Sequence, residues 1–159
     1  TKDDVSGYIS SCIEKAGKSE ILHLFYGDVT EKDLRHASFD GTKWSYETVD
    51  GNGSSINDYK DPSRSRSSSD VSVSSACAYT TAGLQVFYRD ESQGILLGAT
   101  RVSGKWNYEL IDGDKEDGGR TTGDVGFHIS PGSSFACLRI FSQNDFLTLL
   151  EFLKLFKGL

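Results

Sequence analysis

The sequence predicts an all-β chain built from a four-stranded antiparallel unit, present as two full copies and part of a third and followed by an amphipathic helix. Three observations carry that expectation. The stretch from His23 to Gly51 realigns without a gap on a second stretch 62 residues further on. Within each copy, apolar residues alternate with the period of two that marks a half-buried strand: Leu22, Leu24 and Tyr26 take one face while His23, Phe25 and Gly27 take the other. Among 159 residues, seventeen Gly, nine Phe and seven Tyr stand against two Pro and no Met, which favours many turns between short aromatic-rich segments over long helices.

The repeat is anchored at many points. Phe25 and Tyr26 meet Phe87 and Tyr88, Asp28 meets Asp90, Leu34 meets Leu96, and Ala37 meets Ala99. Further along, Trp44 meets Trp106, Tyr46 and Glu47 meet Tyr108 and Glu109, and Asp50 and Gly51 meet Asp112 and Gly113. A partial copy follows at an offset of 54, where Asp70 and Val71 meet Asp124 and Val125, and Leu84 to Phe87 meets Leu138 to Phe141.

Unit one spans 4–56, with strands at 5–13, 20–27, 33–39 and 43–49; the extra residues EKAGKSE fall in its first turn, and DGTK at 40–43 makes its last. A linker follows at 57–69, where Pro62, two Arg and a Ser cluster break the alternation. Unit two spans 70–118, with strands at 70–78, 84–89, 95–102 and 105–111 and turns at TTAG 80–83 and ESQG 91–94. Partial unit three, 119–142, opens with strands at 124–129 and 135–141. In the tail, 143–159, polar Thr148, Glu151, Lys154 and Lys157 recur every third position and leave Phe146, Leu149, Leu150, Phe152, Leu153 and Phe156 on a broad apolar surface. That pattern predicts a helix that covers an open sheet or packs on another copy.

Charge and composition exclude some partners. A net charge of −6 with no basic stripe lacks the electrostatic term on which nucleic-acid binding rests. The tail segment is too short and too charged to span a bilayer, and its polar face lacks a dense cationic stripe. The opening TKDDVSGY has neither the basic start nor the apolar run of a secretory leader, a pattern that a mature or excised chain shares, so a secreted or extracellular location stays open. Cys12, Cys77 and Cys137 each precede an apolar alternating run, as small buried core thiols do.

A four-stranded meander repeated along a chain is the unit of a β-propeller, the fold expected here. At LHLFYGD…LRHASFDGTKW and LQVFYRD…ILLGATRVSGKW, the chain resembles the propeller repeats of fungal and bacterial fucose-binding lectins over about residues 4–141. The resemblance implies ligand pockets between adjacent blades, held in that family by an Arg on the second strand, a Glu on the third and Trp side chains near the DG turn. The Arg position is His23 in unit one, Gln85 in unit two and Arg139 in the third. The Glu position is His36 and then Gly98, and the Trp before the DG turn is Phe39 and then Val102; Trp44 and Trp106 keep the second aromatic. The ligand-binding residues implied are Trp44, Trp106, Arg139, Tyr26, Tyr88, His36 and Gln85, with a glycan held by hydrogen bonds and stacking.

The same residues have plainer uses. Recurring Trp and Tyr suit a packed core, and alternation turns Glu47 and Glu109 outward as solvated edge positions. The acidic turns DGNGSSIND at 50–58 and DGDKEDGG at 112–119 read as ordinary Gly/Asp turns, since the first lacks the sixth-position Gly and closing Glu of a calcium loop and the second departs further, so no metal or other cofactor is expected. Asn52-Gly53-Ser54 is a glycosylation sequon only on a secretory route. His23, His36 and His128 look isolated, and no catalytic motif is present, so a non-enzymatic module is expected. Too few units for a closed ring point to a homo-oligomer with several shallow sites. The alternative is an interaction or structural propeller fragment whose tail mediates assembly or caps an open edge.

Overall fold

The computed structural model of the chain describes residues 4–51, 69–113, 119–131 and 138–141. Strands β1 (Val5–Ala16), β2 (Ser19–Asp28), β3 (Asp33–Phe39) and β4 (Trp44–Asp50) form one antiparallel sheet in chain order. Strands β5 (Ser75–Thr80), β6 (Gly83–Asp90), β7 (Ile95–Val102) and β8 (Lys105–Asp112) form a second sheet of the same order, and β9 (His128–Pro131) pairs with β10 (Leu138–Phe141). The chain is all-β in this region, with no helix among the described residues.

The repeat seen in sequence is a repeat of register. Phe25 lies opposite His36 as Phe87 lies opposite Gly98. The bulge between Leu34 and Arg35 recurs between Leu96 and Leu97. Both sheets end in the same turn, where the Asp50 and Asp112 carboxylates each accept the next residue's amide at 2.8 Å.

The two sheets pack face to face. Phe25, Leu34 and Val49 of the first meet Cys77, Leu84, Val86, Tyr88, Leu97 and Ala99 of the second, with Val71 wedged between them, and all are buried. Burying a side chain such as Phe25 contributes roughly 1.5–3 kcal/mol. A second core, of Ala76, Leu96, Val125 and Ile129 with half-buried Phe87 and Ile111, lies on the other face of the second sheet. That sheet is therefore covered on both sides, which is why Ile95 to Ala99 runs as five buried residues without polar alternation.

Each unit hooks onto the turn of the one before. The Val71 amide donates to the Lys32 carbonyl at 3.0 Å, and the Val125 amide donates to the Gly94 carbonyl at 3.2 Å. Lys32 and Gly94 occupy the same place in the two β2–β3-type turns and share a left-handed backbone, at φ 66° and 67°. Gly94 adopts that conformation freely, whereas Lys32 holds it against its Cβ. The incoming segment also presses on β2, since a Cβ at Gly27 would lie 1.9 Å from the Ser72 carbonyl oxygen. On the far side, buried Arg89 clamps the third unit: its guanidinium donates to the Val125 carbonyl and the Asp124 carboxylate, reaches Glu91 at 2.6 Å, and lies 3.9 Å from the Phe127 ring centroid.

Several sequence expectations need correction. The strand expected at 70–78 starts at Ser75, because residues 70–74 are taken up by the hook on unit one. The strand expected at 124–129 starts at His128, because Asp124 and Val125 are held by Arg89 and Gly94. The first strand runs to Ala16, and the residues read as a long turn instead extend the hairpin, with Glu14 opposite Ile21, Lys15 opposite Glu20 and Ala16 opposite Ser19. Of the linker at 57–69 only Ser69, which is buried, is described; the tail at 143–159 lies outside the described residues.

Candidate functional site

A row of polar side chains runs across the seam between the sheets. Register places Cys12 of β1 opposite His23, Ser38 of β3 opposite His23, and Glu47 of β4 opposite His36, all on the face that meets the second sheet. The Tyr79 hydroxyl donates to Glu14 Oε1 at 3.1 Å; Glu14 Oε2 lies 3.2 Å from His23 Nε2; His23 Nδ1 lies 2.9 Å from His36 Nε2; and His36 Nδ1 donates to Glu47 Oε1 at 2.8 Å. Arg101 of the second sheet closes the row, its Nε 3.2 Å from the same Glu47 oxygen.

The proton count of this row is constrained. If His36 donates through Nδ1 to a carboxylate, its neutral ring accepts at Nε2, so His23 donates through Nδ1 and its own Nε2 carries no proton. That bare nitrogen makes the longest of the three imidazole contacts, the one to Glu14. The row thus has room for one more proton, which burial resists: desolvation holds both imidazoles below their ordinary pKa of 6.5, against the pull of Glu14 on His23 and of Glu47 on His36. The Glu14 carboxylate in turn pushes the Tyr79 phenol upward.

Aromatic rings frame the pair. His36 stacks on Phe25 at 4.7 Å and on His23 at 5.1 Å, and Trp106 meets His36 edge-on at 5.7 Å. Beside it the buried Trp106 Nε1 finds no hydrogen-bond partner among the described residues, and the buried Arg101 Nε is held by its ion pair to Glu47 without a well-aligned hydrogen bond. A cleft of about 210 Å³ opens at this end of the row, lined by His36, Ser38, Ser45, Tyr46, Glu47 and Arg101. It offers a carboxylate, a guanidinium, an imidazole and two hydroxyls within one small volume, a set suited to fixing the directions of several hydroxyl groups. Among the described residues no group of three or more His, Cys, Asp or Glu is arranged to hold a metal ion, and no helix is long and apolar enough to cross a membrane.

Of the residues singled out from sequence, the structure brings His36 and Trp106 together. Trp44 lies on the opposite, outer face of the first sheet, stacked between Phe39 at 5.0 Å and Tyr46 at 6.3 Å. Tyr26 shares that outer face and is half-buried. Tyr88 is fully buried, and its hydroxyl donates to Asp50 Oδ2 at 2.8 Å. Gln85 faces the third unit's side of the second sheet, where its side chain meets Thr80 and Thr100. Arg139 sits in β10 opposite Ser130.

Glu47 corrects the outward reading: pairing with His36 turns it into the seam, half-buried, while Glu109 is exposed. His23 and His36 are likewise partners, not isolated residues. Sequence reasoning missed Glu14, Glu47 and Arg101. A signal existed, since His23 and His36 share one face of adjacent strands by their alternation, but the β1–β5 neighbourhood that delivers Tyr79 depends on sheet packing. Comparison with protein-family models, curated proteins and solved structures finds no match for the chain.

Proposed function

We propose that the protein is a non-catalytic carbohydrate-binding module of propeller type, which takes a polyhydroxylated ring in the cleft between its sheets. One observation carries the reading: Glu47, Arg101, His36, Ser38 and Ser45 converge on a single cleft at the seam of two repeat-related sheets. The Arg101 guanidinium at its wall, paired with Glu47 at 3.2 Å, supplies donors that a hydroxyl oxygen or water satisfies. The propeller reading is supported by the neighbour order of the first strands, β1 beside β5 and β5 beside β9, as expected of inner strands around an axis.

The homo-oligomer belongs to the same proposal. Leu22, Leu24, Tyr26, Ala37, Trp44 and Tyr46 on the outer face of the first sheet are the repeat equivalents of Leu84, Val86, Tyr88, Ala99, Trp106 and Tyr108, the face of the second sheet that packs against the first. Yet Trp44 and Tyr46 stay 42% and 63% exposed, and Ile9 and Ile13 beside them are exposed as well. A second copy seated there completes the stack and repeats the cleft.

The test is a glycan array followed by calorimetry. Glu47→Gln and Arg101→Met are expected to weaken binding of an array hit about tenfold or more, with folding checked by thermal unfolding. Binding untouched by either substitution refutes the cleft. An array without hits, beside a stable assembly in light scattering, moves the assignment to a structural or protein-interaction module.

A further inference from the structure

The first strands of the two sheets are joined by a ladder of side-chain pairs with one constant spacing. Ser10 and Ser75 meet through their hydroxyls at 3.1 Å, 65 residues apart. Glu14 and Tyr79 meet at 3.1 Å across the same interval of 65. Cys12 and Cys77 occupy the rung between them, on the same faces: Cys12 lies opposite His23 in the first sheet and Cys77 opposite Val86 in the second, and Cys12 packs against the buried cluster that contains Cys77. Two serine side chains touch one rung away, so the strands stand within reach of the two short arms of a disulfide. Both thiols are free.

We propose that Cys12 and Cys77 form a redox-active pair that closes to a disulfide across the seam, tying β1 to β5. The oxidant is a small-molecule disulfide such as oxidised glutathione. Cys77 is buried, and the neighbouring Cys12 together with that burial pushes its thiol up, so half-buried Cys12 on the edge strand is the attacking group. The Cys12 thiolate displaces one glutathione thiolate and becomes a mixed disulfide. Cys77 then releases its proton and attacks the Cys12 sulfur, displacing the second glutathione thiolate. The protein loses two thiol protons and two electrons, and one glutathione disulfide becomes two thiols. Glu14, two residues along from Cys12, supports His23, so the bond locks the strand that carries one end of the polar row. This holds whatever occupies the cleft.

The test is oxidation of the folded chain by oxidised glutathione, with peptide mapping by mass spectrometry and thiol counting. A Cys137→Ser background removes the remaining thiol. The expected result is a linked peptide pair holding Cys12 and Cys77, the loss of both thiols, and an unfolding midpoint raised by on the order of 10 °C. Cys77→Ser is expected to stop at a stable glutathione adduct on Cys12, and Cys12→Ser to leave Cys77 unreactive until unfolded. Because the mapping also runs on the unsubstituted chain, a variant that fails to fold does not decide the matter. A persistent adduct on Cys12 with Cys77 intact, or a linked pair that forms as readily in denaturant, overturns the proposal.

Discussion

Replacing Arg89 with Met removes the guanidinium while keeping an unbranched apolar stem, and it isolates what fastens the third unit. Asp124 and Glu91 are 61% and 42% exposed, so each returns to water when the cation leaves, and such pairs contribute only about 0.5 kcal/mol apiece. The contact to Phe127 adds roughly 1 kcal/mol. The Val125 carbonyl is the larger matter: it is buried, and losing a charged donor there costs about 1.5–3 kcal/mol. Removing the desolvation of a fully buried cation offsets part of this, leaving a net loss of about 2–4 kcal/mol, or a midpoint lower by roughly 5–15 °C. Thermal unfolding measures the total. Hydrogen exchange at the Val125 amide, bonded to Gly94, locates it, and protection there is expected to fall before that of Phe25 or Val86. A midpoint unchanged within error, or uniform loss of protection across both sheets, refutes the clamp.

Lys32→Gly relieves the left-handed lysine and is expected to raise stability by about 1 kcal/mol in denaturant titration, whereas Gly94→Ala lowers it, since its new Cβ meets Asp124 Oδ1 at 2.9 Å. Because burial depresses the pKa of His23 and His36 in the folded state, the unfolded chain takes up protons first; their contribution to stability is full above pH 6.5 and is lost as pH falls below it. A thermal series from neutral to acidic pH checks this, and His36→Gln is expected to flatten the slope. On the outer face, Leu24→Asp is expected to shift the mass in light scattering toward the monomer, while Glu31→Gln, exposed on a turn, leaves it unchanged.

Strand number, order and pairing were readable because the period of two and the 62-residue offset are local, covalent properties. Phe25, Leu34 and Ala37, three of the anchors on which the repeat was aligned, are all buried. Strand starts failed at Asp70 and Asp124, where backbone donors are captured by a preceding turn instead of a neighbouring strand. The site was half legible: His36 and Trp106 were named and do meet, and His23, Glu14 and Glu47 line up with His36 within one sheet, but Arg101 and Tyr79 reach the row only through the stacking of two sheets, a relation such as that of Glu14 and Tyr79, 65 positions apart, that periodicity does not carry.

The two hooks have a bearing on how such a chain grows. Val71 fastens to the turn at Lys32, and Val125 to the equivalent turn at Gly94. A duplicated segment therefore arrives with its own latch at the front and its own keeper behind, and it lands on a receiver that already exists. Lengthening the array asks for no newly invented interface, only for a copy inserted in frame, and the joint it makes is as old as the first one.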